Sequence, residues 1–441
     1  MGVEKIESLN KSPSKKGEYL FWTIFIIILL ILIYLPIHYS KNFWENLLSV
    51  NKLNPSYSKV VLIFQIVCYT LVILIIIFRK NIYRYKKEIL LLSISALLCL
   101  LLIELGSRYY VCNIASSNVQ SNILFYSEFN DCHLKSRYST HPYLNDYGTP
   151  NFSTSDDVDM HNSLGFRGPE IDIPKPDERY RIVILGGSSA YESGVESWKD
   201  DFARQLQKYL RQLYNNENIE VINGALPGYT SYEDLINLEF RVLDLEPDMI
   251  IPYESVNDVH ARFVESSSFT GDNTGFRKQW SSPKIPIIIR PMFIRLIIGN
   301  PIGIGHFINA PTYKIKDTDE ENLATLEQNP PIYFKRNVEN MIALSKYRNV
   351  SVLLSTWAYT NDFNDSSSKI YYEKGFQENN EVVKTVGIEN DVLVYDHELE
   401  MPKDKIYWDD GRHVNEKGAD IKGRLFAEYI YKNDLLNINK S

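Results

Sequence analysis

Apolar residues are spread unevenly along this chain. They gather into three runs near its start, residues 19–37, 60–78 and 89–105. The first two carry no charged residue, and the third carries none before Glu104. None shows the polar stripe of a helix packed on a soluble core. About 20 apolar residues cross a hydrocarbon layer, so the pattern predicts three transmembrane helices, the third of them short. The first run is too long for a signal-peptide core and no A-x-A-like site follows it, so it is read as an anchor. Lys5, Lys11, Lys15 and Lys16 precede the first run, and Arg79, Lys80, Arg84, Lys86 and Lys87 crowd the loop before the third. Only Lys41, Lys52 and Lys59 lie between runs one and two. Basic residues favour the cytoplasmic side. The tail, residues 1–18, is therefore expected inside the cell. Everything after the 19–105 anchor is expected outside.

Residues 106–178 form a polar connector without a clear period. It includes HPYLNDYGTPN and HNSLGFRGPEI. From residue 179 the texture becomes strand-like runs alternating with helical ones. Strands are predicted at 181–185, 220–222, 248–252, 350–355 and 392–395. Helices are predicted at 200–214, 232–245, 333–347, 371–386 and 415–431. Such alternation predicts a parallel α/β sheet in a domain of residues 179–435. Sites in these sheets sit at the C-terminal strand ends. An insertion at about 262–330 contains the apolar stretch 285–308, where two Arg and three Pro forbid a spanning helix. It is expected to cap the domain, with an interfacial lid as the alternative.

Charge narrows the classes. Lys and Arg number 47 against 55 Asp and Glu, a net −8, which argues against a nucleic-acid binder. The four cysteines contain no CxxC pair, which excludes a zinc ribbon. Cys68 and Cys99 fall inside apolar runs. Cys112 and Cys132 fall just beyond the third, where an oxidising compartment would let them pair. His133, His141, His161, His260, His306 and His397 show no metal-ligand spacing. No metal or cofactor is expected.

Four short blocks carry the chemistry. RIVILGGSSAYESG runs a strand into a glycine turn, so Ser188 emerges at the strand end beside a helix start. Ser189 is the rival nucleophile, and a plain strand-to-helix turn is the simpler reading. VINGALPGYTS places Gly228 at the next strand-to-helix crossing. DMIIPYESVNDVH places Asn257 after a third strand, where its amide could serve an oxyanion or cap a helix. YWDDGRHVNEKGA sets Asp410 three residues before His413, a spacing that lets a carboxylate hold one ring nitrogen. Asp409 is a less fitting orienter.

Taken together and in this order, the blocks resemble those of the SGNH (GDSL-type) hydrolase superfamily over roughly residues 160–435. Ser188 matches the nucleophile, Gly228 the Gly, Asn257 the Asn, and Asp410 and His413 the Asp-x-x-His. NSLGFRGPEI is similar to the lead-in of bacterial members that carry GGSS. The chain departs at Gly187, where Asp is usual, and at Ser255, where Gly is common. The resemblance implies a flavodoxin-like three-layer sandwich. It also implies a Ser188–His413–Asp410 triad with an oxyanion hole of Ser188, Gly228 and Asn257. The expected activity is a membrane-anchored esterase acting on acyl, often acetyl, esters of cell-surface glycans or lipids. An O-acyltransferase working with a partner membrane protein, a lipase or lysophospholipase, and a non-catalytic glycan binder are the alternatives.

Overall fold

A computed structural model describes residues 76–116, 157–276, 290–302 and 315–438 continuously, with scattered positions between residues 22 and 154. Most of the predicted runs at 19–37 and 60–78 lies outside the described residues. Two compact units emerge, Met1–Ser107 with Lys284–Ile294, and Arg108–Pro283 with Arg295–Ser441.

The third apolar run forms helix α1, Lys86–Asn113. It is 28 residues long, has a mean hydropathy of 2.6 over its most apolar window, and buries none of that window. At 1.5 Å per residue it reaches ~42 Å, beyond the ~30 Å hydrocarbon layer. It therefore extends past the expected 89–105 at both ends. In this first unit, the Glu104 carboxylate accepts the Phe293 amide at 3.3 Å. Of the apolar stretch 285–308, Met292–Ile302 forms a helix.

In the second unit, Cys112 and Cys132 are joined by a disulfide. The connector contains a small antiparallel pair, β1 (Tyr138–Thr140) and β2 (Asp146–Gly148). Three-residue strands are too short to leave a period in the sequence.

The main sheet is parallel. Its strands are β3 (Tyr180–Gly186), β4 (Ile219–Asn223), β5 (Met249–Tyr253), β6 (Ser351–Val352), β7 (Leu354–Ser355) and β8 (Val394–Tyr395). The order is β4-β3-β5-β6, and β7 pairs with β8. The expected strand 350–355 thus changes partners at Leu353, whose amide donates to Ile250. With β6 and β7 read as one strand, the array has the order 2-1-3-4-5, the flavodoxin-like doubly wound arrangement.

β3 explains the arrangement. Ile182, Val183, Ile184 and Leu185 are fully buried, as a strand covered on both faces requires. Ile182 and Ile184 face α3 (Phe202–Tyr214) and the final helix α8 (Glu416–Lys432), through Phe202, Leu206, Leu210, Phe426 and Ile430. Val183 and Leu185 face the other layer, through Leu238, Val242, Val338, Met341 and Val386. That layer contains α4 (Ser231–Asn237), α6 (Ile332–Tyr347) and α7 (Ile370–Asn390). Each such apolar side chain contributes roughly 1.5–3 kcal/mol on burial. The helix expected over 232–245 departs from regularity. After α4 the chain widens to a π turn at Leu238–Val242 and tightens to a 3-10 turn at Leu243–Leu245. That change of pitch keeps Leu238, Val242, Leu243 and Leu245 all buried.

Candidate active site

β3 and β5 lie side by side at the point where the strand order reverses, and their C-terminal ends meet there. Gly186 ends β3 at φ +147°. A Cβ there would strike the Tyr253 carbonyl oxygen and come within 2.7 Å of the Ala190 side chain, so no other residue fits. Gly187 then caps a one-turn helix, α2 (Ser188–Tyr191). Ser188 occupies its first position, where a backbone amide has no partner within the helix.

The predicted chemistry converges on this hydroxyl. Ser188 Oγ lies 2.8 Å from His413 Nε2, and His413 Nδ1 lies 2.9 Å from Asp410 Oδ2. The network assigns the ring tautomer: Nδ1–H donates to the carboxylate and Nε2 accepts from the serine. Asp410 also accepts the amides of Arg412 (2.7 Å) and His413 (2.8 Å). Burial pushes the Asp410 carboxyl up, but its bond to the His413 ring, the ring's charge and these two amides outweigh burial. They hold it well below the usual carboxylate range. The ring bond goes to Asp410, not to Asp409. Ser189 has a different task, donating to the Arg412 carbonyl at 3.0 Å and so tying the serine turn to the histidine loop.

Asn257 is not the cap of its helix. It is the second residue of α5 (Val256–Arg262), and its Nδ2 donates to the Tyr229 carbonyl at 2.7 Å. The cap duty falls to Glu254, whose Oε1 accepts the amides of Ser255 (2.9 Å) and Asn257 (3.3 Å). Gly228, at φ +85°, makes the turn just before Tyr229, and a Cβ there would meet open space. Glycine is required at this point by the backbone, not by crowding. Asp258 accepts both the amide and the hydroxyl of Ser231, at 2.8 and 2.6 Å, which joins α5 to the start of α4.

Two groups beneath Ser188 escaped sequence reading. Arg167, in the lead-in NSLGFRGPEI, is buried and donates to the carbonyls of Tyr191, Glu192, Val195 and Glu196 at 2.8–3.3 Å. These carbonyls lie at the end of the one-turn helix and in the turn after it. Tyr191 also accepts from Asn223 Nδ2 and Glu192 from the Val195 amide, so Val195 and Glu196 depend on Arg167 most. Asp159 neutralises Arg167 at 2.8 Å and also pairs with Arg137 at 3.0 Å. The second group is Lys422 of α8, whose Nζ donates to the Ser189 carbonyl at 2.7 Å and lies 3.4 Å from Glu192 Oε2. It also sits 4.2 Å from the Tyr253 ring centre. Burial raises the Glu192 carboxyl to about 7, against the pull of Lys422. Burial likewise lowers the Lys422 ammonium. Glu192 adopts the left-handed conformation at φ 70°, unusual for a side chain of its size.

Among the described residues no group of three or more His, Cys, Asp or Glu could hold a metal ion. The donor set is that of covalent acyl chemistry: a hydroxyl, a ring base, an orienting carboxylate and nearby amide donors.

No protein-family model and no curated protein matches this chain. Solved structures match it in part. A lipase/acylhydrolase from Enterococcus faecalis is 20% identical, covering 58% of this chain and 96% of its own, with a TM-score of 0.36. A GDSL-like lipase from Bacteroides thetaiotaomicron is 17% identical, covering 59% and 93%, with a TM-score of 0.35. An acetylxylan esterase from Geobacillus stearothermophilus is 14% identical, covering 58% and 96%, with a TM-score of 0.36. At such scores the fold rests on the strand order described above.

Proposed function

We propose that this chain is a serine ester hydrolase of the SGNH type, and that Ser188 carries the acyl group. The observation that carries the reading is the unbroken series Ser188 Oγ, His413, Asp410, with bonds of 2.8 and 2.9 Å. His413 Nε2 takes the Ser188 proton as Oγ attacks the ester carbonyl carbon. The carbonyl π pair moves onto oxygen. The amides of Ser188 and Gly228 and the Asn257 side chain would receive that oxyanion, each worth about 100–1,000-fold in rate. The tetrahedral intermediate collapses, the alkoxide leaves with the proton from His413, and acyl-Ser188 remains. Water, deprotonated by His413, then attacks the acyl carbon and frees Ser188. Asp410 stays ionised and steadies the imidazolium.

The substrate class follows from the address. Helix α1 is long and apolar enough to cross a membrane. The Cys112–Cys132 disulfide, which starts from the last turn of this helix, suits an oxidising compartment. A three-span anchor, a cytoplasmic N-terminus and an outward catalytic unit complete the proposal. O-acetyl and other short acyl esters on surface glycans or lipids are then within reach.

The test is hydrolysis of short- and long-chain p-nitrophenyl esters by the full chain in detergent, beside Ser188→Ala. Acetate-ester turnover that falls about 10⁶-fold in the variant supports the reading. A wild-type chain that neither turns over esters nor is labelled at Ser188 by a fluorophosphonate ends it. Clean labelling without turnover redirects it to acyl transfer onto another hydroxyl.

A further inference from the structure

Gly187 interrupts the resemblance in the sequence, and the structure shows what takes the missing side chain's place. A Cβ at residue 187 would lie 2.5 Å from Glu254 Oε2 and 2.5 Å from Asn257 Nδ2, and 3.0 Å from the Tyr229 carbonyl oxygen. Glu254 is 7% exposed. Its Oε1 is taken by the Ser255 and Asn257 amides, while its Oε2 has no hydrogen-bond partner among the described residues. The carboxyl therefore joins two parts of the site: Oε1 holds the backbone of the Asn257 turn, and Oε2 fills the space beside Gly187 that a Cβ would take.

We propose that Glu254 is a positioning residue, which wedges the Gly187–Ser188 turn against the Asn257 amide and fixes the gap in which an ester carbonyl oxygen would sit. This inference rests on Ser188 being the nucleophile.

The surroundings say in which form the wedge works. Asp258 from α5 and Asp234 and Glu233 from α4 are the acidic groups around this carboxyl and Asp234. Asp234 is fully buried, and neither of its carboxyl oxygens has a hydrogen-bond partner among the described residues. Burial first, then mutual repulsion, raises both Glu254 and Asp234 well above the usual carboxylate range. The Ser255 and Asn257 amides pull Glu254 the other way. Both upward shifts favour the neutral acid over the carboxylate at this spot. A neutral acid can lie beside a developing oxyanion. An ionised one would repel it and draw the free Asn257 N–H away from the substrate.

The test compares Glu254→Gln and Glu254→Ala in the full chain, reading kcat, KM and fluorophosphonate labelling of Ser188 from pH 6 to 10. Glu254→Ala should lower kcat and the labelling rate ~100-fold, the cost of a small misplacement, with KM little changed. Glu254→Gln keeps the shape and should restore most of that loss. Gly187→Ala should cost less in the Glu254→Ala background than alone, the remaining cost being its contact with Asn257 Nδ2. Wild-type kcat and labelling in Glu254→Ala would overturn the inference and leave the esterase reading standing. So would Glu254→Gln as impaired as Glu254→Ala with an unshifted melting temperature. A wild-type chain that is neither labelled nor active would overturn both.

Discussion

Between Arg181 and Glu192 every residue is buried except Ser188, whereas Asp410 and His413 keep 34% and 19% of their side chains in solvent. The two sides of the site are held by different means. The serine turn is fixed from a distance, by Arg167 upstream, by Lys422 from the last helix and by Glu254 and Asn257 from the neighbouring strand end. On the histidine loop the ring itself is set locally, by Asp410 accepting two amides of its own loop, while Asp365 and Thr360 hold Gly411 from outside. Long-range packing sets a position that must not move, and short local bonds set a ring that must gain and lose a proton. Damage to the first side should therefore appear as instability, and damage to the second as lost chemistry.

The largest expected effect is on the loop. Asp410→Asn keeps the geometry but prefers the wrong tautomer, and should cut kcat ~10⁴-fold, about 5.4 kcal/mol in barrier. Its melting temperature should move little. A collapse in stability instead would erase the contrast. Arg167→Met is the converse. It removes one donor from each of four carbonyls and leaves Asp159 a less balanced buried charge, which should cost about 3–5 kcal/mol in urea unfolding. A stable Arg167→Met chain with low kcat would place Arg167 on the chemical side.

Glu192 offers a pH test of the serine side. Its carboxyl is about 7 folded against 4.5 for the free group, so the folded chain holds an extra proton between those values. That stabilisation is fully present below pH 4.5 and is lost as pH rises through 7, roughly 3 kcal/mol in all. Glu192→Gln should flatten this part of the stability profile, measured by melting from pH 4 to 8. An unchanged slope would refute the assignment. The smallest effect belongs to Ser189→Ala, which cuts the second hydroxyl bond between the two sides, beside that of Ser188 to His413. About 1 kcal/mol of stability and a several-fold lower kcat are expected from paired melts and ester assays. No change in either would mean that the sides are aligned without it.

The same contrast governed what could be read in advance. Asp410 and His413 sit three residues apart and Ser188 follows an unbroken apolar strand, so local spacing exposed them. The run 182–185 was legible because a strand buried on both faces admits little but aliphatic side chains. Arg167 was not legible, because its partners lie 24–29 residues downstream and an arginine in a polar connector looks solvated. Glu254 was hidden for the same reason, as a lone acid ahead of an Asn-Asp pair suggests a surface charge. The π turn after α4 and the partner change at Leu353 answer to the packing of whole layers. No window of ten residues contains that information.

Arg167 bears on what can be inherited or transplanted as one piece. The alternating texture begins near residue 179, and a designer or a recombination event cutting there would keep every strand of the main sheet. The Ser188 turn would then arrive without its clasp. The smallest transferable module of this chain is therefore longer than its sheet, and must include the segment around Asp159 and Arg167 that binds the turn from outside.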